Sequence, residues 1–312
     1  MRVWGPAVRS RVSSAPALRD WPSTQTASAA LPSRPTDTGV PKFYTAWRDM
    51  VMNKVTMFKW MPKADAAIKV HNALQPAIRY TKAQCLDLPP VLTLTREVPL
   101  TPQQAKYYNL LKDQMLVQTA GETISAVNAA TVVNKLLQIS CGAAYTDDGE
   151  VVEFDAMPRL NVLQEILDET DRKVIIFALF RSSIDTIQNH LTKHNITNEC
   201  IHGGVSASKR ADIINRFQRT PDPRVLVMQP AATAHGITLT AADTVVFYGP
   251  LMSVEQYIQA IARADRKGQT SDKVTVLHIE SSPIEKKMFK ALEAKVSDNS
   301  LLTDMFTIEI NS

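Results

Sequence analysis

The 312-residue chain is 45% hydrophobic and 21% charged, with a formal net charge of +4; that length accommodates about two domains, and that apolar share fills a core. Its longest apolar runs, such as Val174 to Phe180, are far too short to cross a bilayer, and no apolar signal segment opens it, so a soluble, intracellular protein with no membrane partner is expected. Cys85, Cys141 and Cys200 are odd in number, widely spaced and free of any CxxC, which argues against a disulfide framework and against a zinc site.

Residues 1–40 hold six Ser, five Pro, five Arg and no Lys, with no sustained period of helix or strand, and are expected to be disordered. An Arg- and Ser-rich, acid-poor start also describes an organelle transit peptide. Pro6, Pro16, Pro22, Pro32 and Pro35 would interrupt the amphipathic helix such a peptide needs, and a mis-assigned start is a third reading. The basic charge is local, since residues 1–63 carry ten Lys and Arg against three Asp and Glu.

From Pro41 onward, Phe43, Tyr44, Trp47, Met50 and Val51 recur at helical spacing and predict an amphipathic helix; a second is predicted over about 64–74. Pro89 and Pro90 enforce an extended backbone, and alternation over 93–100 predicts a strand. Thr101 then reads as an N-cap with Pro102 at the first helical position. Helices are predicted over about 103–118, 124–139 and 159–169, with an acidic turn at 147–150. Beyond them the period alternates. Strands are predicted over 173–178, 199–202, 224–228, 244–248 and 273–279, and helices over 183–193, 206–218, 254–265 and 284–296. This alternation argues an α/β fold with a doubly wound parallel sheet, in which ligands gather at the carboxyl ends of strands.

Three stretches on strand-to-helix turns place backbone amides where a phosphate can be received. The first ends a buried strand in Phe180, Arg181, Ser182 and Ser183; an ordinary core strand with a serine cap is the plainer reading. The second is His202-Gly203-Gly204-Val205-Ser206 with Lys209 and Arg210 behind it, where paired glycines permit close backbone approach and Ser206 can cap the helix. Gly-Gly alone is a weak signal. The third runs from Met228 through Thr233, His235 and Gly236 to Asp243 and Tyr248, and its His235 could equally be a packed histidine. Further on, Gln259, Arg263 and Arg266 stand at i, i+4 and i+7 of a predicted helix and share a face. No carboxylate lies three or four positions from either arginine, so the pair invites an external anion, and guanidinium forks match phosphate oxygens. A solvated basic face or a tertiary ion pair remains open. Neither HExxH nor a Cys/His cluster was found, and no metal site is assigned.

The run Q-A-x-x-R-x-x-R-x-G-Q from Gln259 to Gln269 resembles the last motif of Swi/Snf-type DNA translocases in helicase superfamily two, with Asp265 where those proteins usually carry His. L-T-A-A-D-T-V-V-F-Y over 239–248 matches the family closely, although the glycine-rich loop expected at Thr233, Ala234 and His235 is reduced to Gly236. The order of an aromatic helix, L-P-P, a strand ending in P-L-T-P-x-Q and a helix bearing Tyr107 and Tyr108 resembles the family's inter-lobe connector, especially in phage-encoded members. The resemblance covers about residues 41–310.

The resemblance implies a RecA-like C-terminal helicase lobe over 101–312, preceded by a helical tail of a first lobe and connector over 41–100. It implies Arg266 as arginine finger with Arg263 as companion, Gln259 and Gly236 near the nucleotide, and Phe180, Arg181, His202, Gly203, Ser206, Arg210, Thr233 and His235 near duplex DNA. No Gly-Lys dipeptide occurs, and the only Asp-Glu pair, Asp168-Glu169, is not followed as in a D-E-x-H box. The phosphate cradle and the Mg²⁺ carboxylate are therefore missing from this sequence. ATP and Mg²⁺ would be held mainly by a first RecA-like lobe, in trans or in a longer chain. A non-catalytic module that binds DNA or protein is the alternative. The expected location is the cytoplasm beside the nucleoid in a bacterial or phage-infected cell, or the nucleus in a eukaryote.

Overall fold

The computed structural model describes residues 41, 43–57, 60–74, 88–119, 126–146, 150–233 and 236–294, with backbone alone over 114–119 and 126–129 and at Thr233. The expectation for residues 1–40 lies outside them. The chain divides into two compact units, Met1–Cys85 and Leu86–Ser312.

In the first unit the expected aromatic helix is α1, Tyr44–Val51. It is followed by β1, Met52–Lys54, antiparallel to β2, Trp60–Pro62, and by α2, Ala66–Leu74. Trp47, Val51 and Ala66 are buried together, and the Arg48 guanidinium sits 3.8 Å over the Trp60 ring. Met57, Met61 and Ile68 are exposed.

The second unit contains β3 (Val91–Glu97), α3 (Pro102–Thr119), α4 (Ala126–Ser140), β4 (Ala143–Tyr145), β5 (Val151–Glu153) and α5 (Met157–Asp168). The alternating part follows: β6 (Lys173–Phe177), α6 (Arg181–Lys193), β7 (Asn198–Ile201), α7 (Ala207–Arg219), β8 (Val225–Met228) and β9 (Ala242–Phe247). It closes with α8 (Val254–Ala264), β10 (Val274–Glu280) and α9 (Pro283–Glu293). Six strands form one sheet in the order β3-β10-β9-β6-β8-β7, and every pairing in it is parallel. The unbroken apolar run of β6 suits a strand covered on both faces. Val174 and Ile176 pack with Leu136, Leu163 and Ile187 of α4, α5 and α6. Ile175 and Phe177 pack with Phe217 of α7 and Ala260 of α8. The doubly wound parallel sheet expected from the alternation is the observed fold.

The strand expected inside a connector over 41–100 is β3, which pairs with β10 in register from Val91 opposite Val274 to Glu97 opposite Glu280. The ladder is extended by Val274 N–H to Pro90 O at 3.0 Å and Val98 N–H to Glu280 O at 2.9 Å. These bonds draw the stretch into the sheet, and the compact units part after Cys85. The acidic turn joins a hairpin, β4 with β5, whose three-residue strands are too short to show a period; residues 147–149 lie outside the described residues.

Caps appear where the sequence places them at Thr101 and Ser206, but the serine cap read after β6 does not form, since Phe180 holds that position without a side-chain cap. Thr101 Oγ1 accepts from Gln104 N at 3.3 Å while Gln104 Oε1 accepts from Thr101 N at 3.0 Å, a reciprocal capping box. Gln104 Nε2 also donates to Ile139 O at 2.8 Å, fastening α3 to α4. A buried ion pair joins α5 to α9, with Arg159 Nη2 2.7 Å from Glu285 Oε2 and side-chain exposures of 3% and 0%. Glu285 Oε2 accepts from the backbone N–H of Ser281 and Ser282 at 2.6 and 3.1 Å, and Arg159 Nη1 donates to Tyr248 O. Burial opposes charge on Arg159, but the groups around it, Glu285 foremost with Cys141 and Tyr248 behind it, together more than offset the burial and hold its pKa above the usual value. The neighbouring Cys141 thiol is pushed up to about 12, first by burial, and is therefore neutral at ordinary pH.

Candidate nucleic-acid and phosphate interface

Two of the expected turns meet at the carboxyl end of the sheet. The turn after β6 leads into α6 at Phe180, its N-cap residue, with no side-chain cap. Phe180 is 8% exposed and belongs to the core. Its ring helps to seat the turn. Arg181 is exposed and forms a two-point pair with Asp185 one turn on, at 3.0 and 3.2 Å. The helix start is met instead by Tyr145 of the hairpin, whose hydroxyl oxygen accepts from Ser182 N–H at 3.2 Å.

The turn after β7 runs from His202 to Ser206. His202 Nδ1 accepts from Gly204 N–H at 3.0 Å, and Ser206 Oγ accepts from Lys209 N–H at 3.3 Å as the N-cap of α7. A Cβ added at Gly203 would meet nothing within 4 Å, so that position is open to close approach of a ligand backbone. Arg210 is partly buried, with Nη2 3.4 Å from Val205 O. Burial, and after it Arg181, hold the His202 pKa below the usual imidazole value; Arg210 and Lys209 act in the same direction and Asp185 against them. The cations of the two turns therefore feel one another. This end of the sheet is a basic rim relieved by one carboxylate, and it suits a polyanion.

The arginine helix lies at the other end of the sheet. Because α8 returns antiparallel to the strands, its last turn stands beside the start of β9. Leu239 N–H donates to Arg263 O at 2.9 Å, and Gln269 Nε2 donates to Ala242 O at 2.8 Å. Arg263 Nη1 lies 3.5 Å from Ile237 O, and Arg266 Nη1 lies 3.3 Å from Gly236 O. Gly236 has φ +48, the left-handed region in which a side chain adds strain. The structure thus brings Arg263, Arg266 and Gly236 together. Gln259 lies a turn away and donates to Glu255 Oε1 at 2.9 Å. Burial first, and the Arg266 charge second, pull the Arg263 pKa down, which favours a counter-anion at this place. The two clusters do not coincide at the carboxyl ends, as the general rule for such sheets suggests.

One segment touches both. It begins at Gln229, just past β8, whose Nε2 donates to Leu179 O at 3.3 Å and whose Oε1 accepts from Gly203 N–H at 3.5 Å. It ends at Gly236 and Ile237, under the two arginines. Sequence reading missed Gln229; its place beside Pro230 at a strand end was the available signal. Thr233 ends a 3-10 turn, Pro230–Thr233, with its side chain undescribed, and His235 lies outside the described residues.

The donors at the arginine end suit nucleotide phosphate oxygens. They do not suit Mg²⁺, and among the described residues no three His, Cys, Asp or Glu are grouped to hold a metal ion. His190 and His194 form an H-x-x-x-H pair, passed over in the sequence, with ring centroids 4.3 Å apart. His190 Nε2 is inaccessible, so the pair offers no open chelate. A 640 Å³ cleft at the amino ends of the strands is lined by Arg172, Lys173, Asp222 and Arg224. Its Lys173 donates to Thr220 O and Pro223 O at 2.6 and 2.9 Å, its Arg224 to Leu167 O at 2.5 Å, and its Arg172 Nε lies 3.3 Å from Asp243 Oδ2, so the basic groups there are already engaged within the lobe.

Residues 158–268 match the helicase conserved C-terminal domain. The chain is 27% identical over 258 residues to the CHD3-type chromatin-remodeling factor PICKLE of Arabidopsis thaliana, covering 77% of this chain and 18% of that protein. Across curated relatives it spans from 9% to 30% of their lengths. Among solved structures it is similar to the Sulfolobus solfataricus SWI2/SNF2 ATPase core in complex with dsDNA, at 27% identity and a TM-score of 0.55, covering 78% of this chain and 53% of that one. It also shares the fold of the C-terminal part of the Fun30 ATPase domain, at 16% identity and a TM-score of 0.56, covering 72% and 98%. The phage-like variety of the resemblance finds no support in these matches.

Proposed function

Because the chain belongs to the Swi/Snf-type proteins of helicase superfamily two and carries their C-terminal helicase lobe, we propose that it is the second half of an ATP-dependent translocase on duplex DNA. Arg266 and Arg263 face the γ-phosphate of a nucleotide held by a first RecA-like lobe, and Gln259 and Gly236 line the same cleft. Arg181, His202, Gly203, Ser206 and Arg210 meet the DNA backbone. The observation that carries the reading is the single segment that leans on both basic turns at Gln229 and on both arginines at Gly236 and Ile237.

The chemistry asked of these residues is electrostatic. Charge spreads over the equatorial oxygens of a transferring phosphoryl group, and a preorganised guanidinium neutralises it. Mg²⁺, held with the nucleotide by the partner lobe, would supply further neutralisation of phosphate charge. In this chain Arg266 leaves Gly236 O to meet phosphate, while Arg263, wedged at the helix end, stays and fixes the approach. Contacts to the phosphodiester backbone carry no sequence information, so binding is salt-sensitive and sequence-tolerant.

The test is reconstitution. The chain alone should show no ATPase above background with or without DNA, and a matching first lobe with duplex DNA should restore hydrolysis. Arg266→Ala should then remove roughly 10³-fold or more of the rate with DNA binding retained, and Arg266→Lys should not recover it fully because a point charge lacks the bidentate fork. Hydrolysis by the chain alone, or indifference to Arg266→Ala, would refute the assignment. The missing phosphate-binding lysine favours a second reading, a DNA- or protein-binding module that meets no nucleotide; duplex binding without restored hydrolysis would select it.

A further inference from the structure

We propose that Gln229 is a positioning residue that holds the turns after β6 and β7 at one fixed spacing, so that they meet a duplex backbone as a single surface. This deepens the proposed function and rests on its reading of those turns as DNA contacts. Strand order gives the reason. β8 lies between β6 and β7, so a side chain just past its end can reach both neighbouring turns. Gln229 does this with one donor and one acceptor, Nε2 to Leu179 O at 3.3 Å and Oε1 from Gly203 N–H at 3.5 Å. Its own N–H donates to Ile201 O at 2.9 Å, and Pro230 then ends the ladder for want of an N–H.

Leu179 stands two residues before Arg181, and Gly203 lies in the turn that carries His202 and Ser206. Phosphates repeat along a strand at a fixed rise, so two basic turns engage together only when their separation is set before binding; ordering them on contact costs affinity. The effect of Arg181 on His202 shows that the turns are near enough for their spacing to matter. An amide is also the chemistry the place asks for. A leucine would leave Leu179 O and Gly203 N–H without this partner, and a glutamate would keep the acceptor but lose the donor.

The experiment uses the full chain with Gln229→Leu, Gln229→Glu, Arg181→Ala and the Gln229→Leu/Arg181→Ala double variant. It measures duplex-DNA affinity against salt, amide exchange at Gly203 without DNA, and melting temperature. Gln229→Leu should raise the Kd by about fivefold and speed exchange at Gly203. Gln229→Glu should weaken binding while protecting Gly203 better than Gln229→Leu does. Arg181→Ala should cost less in the Gln229→Leu background than in the wild type, because the shared surface is already loosened. Additive costs overturn the inference, as does a lowered melting temperature with unchanged affinity of the folded protein. A wild-type chain that fails to bind duplex DNA defeats the functional reading beneath it. A wild type that binds with a Gln229→Leu variant of equal affinity defeats this inference alone.

Discussion

At the scale of single residues, the most consequential charges in the lobe are the ones solvent never sees. Breaking a buried pair strands the remaining ion, so Glu285→Gln should cost about 3–5 kcal/mol, measured by denaturant unfolding. Arg159→Met with Glu285→Leu should cost less than Glu285→Gln, because no charge is left behind. Gly249 packs against the same group. A Cβ there would lie 2.8 Å from Cys141 Sγ, so Gly249→Ala should destabilise by about 1–3 kcal/mol, and adding Cys141→Ala should recover part of the loss. Neither relation was legible in the sequence, which shows Arg159 and Glu285 as two ordinary helix residues 126 positions apart. Their pairing depends on how α5 and α9 cross, which no local pattern encodes. The burial of Phe180 was illegible for a related reason, since an aromatic at a strand end reads the same whether its ring faces a ligand or the core.

His278 gives the pH dependence. It is fully buried, stacked 4.1 Å from Phe289, with Nε2 3.0 Å from the Tyr257 hydroxyl. Burial lowers its pKa to about 4. Nδ1 lies 3.3 Å from Glu293 Oε1, but that carboxylate is half exposed and its solvated charge does not undo the burial. The unfolded chain therefore takes up a proton more readily than the folded one below the ordinary histidine value of about 6.5. Stability from this group is whole above pH 6.5 and is lost as pH falls toward about 4, by up to roughly 3 kcal/mol. Melting temperatures over that range should fall more steeply for the wild type than for His278→Phe; parallel curves would refute the assignment.

Among the elements, α9 is the one whose removal tests the lobe. Ile284 and Met288 belong to the core on one face of the sheet and Phe289 and Leu292 to the core on the other, while Glu285 answers Arg159. Truncation at Ser281 should destabilise the whole lobe rather than release a folded remainder, and an unchanged cooperative melt would contradict this. Elements with a long period or a cap were readable in the sequence, from Thr101 and Pro102 opening α3 to Ser206 opening α7. The hairpin of β4 and β5 was not. Three residues a side carry no alternation, and its place is fixed by Tyr145, whose N–H reaches Gln138 Oε1 at 3.0 Å while its hydroxyl oxygen accepts from Ser182 N–H. Removing that hydroxyl with Tyr145→Phe should lower the melting temperature by the worth of about one hydrogen bond, roughly 1 kcal/mol.

For the whole molecule, the basic rim sets how binding responds to salt. If Arg181 and Arg210 each meet a phosphate, Arg181→Ala with Arg210→Ala should reduce the salt slope of duplex binding by roughly 0.9 per contact, equally on unrelated sequences. Asp185→Ala should strengthen binding, since Arg181 would no longer be divided between a carboxylate and a phosphate. An unchanged slope in the arginine variants would remove both residues from the interface. The alternation of strand and helix made the parallel sheet legible. It did not reveal that β3 belongs to that sheet, because pairing between distant strands leaves no mark on either one alone.

That pairing has a consequence for how the lobe comes into being. Val91 sits opposite Val274, so among the described residues the earliest strand of the sheet has its only sheet partner in the last strand, and a ribosome emits nearly the entire lobe before the two can meet. Contacts of such sequence separation close late, after the entropy of a very long loop has been overcome. Until β10 emerges, Val91, Leu92 and Leu94 have no ladder to join and present a naked β edge of the kind that invites aggregation or a chaperone's hold. Nascent chains stalled before β10 should therefore be protease-sensitive across 88–100, and release of the complete chain should confer protection there as one of the final events of folding.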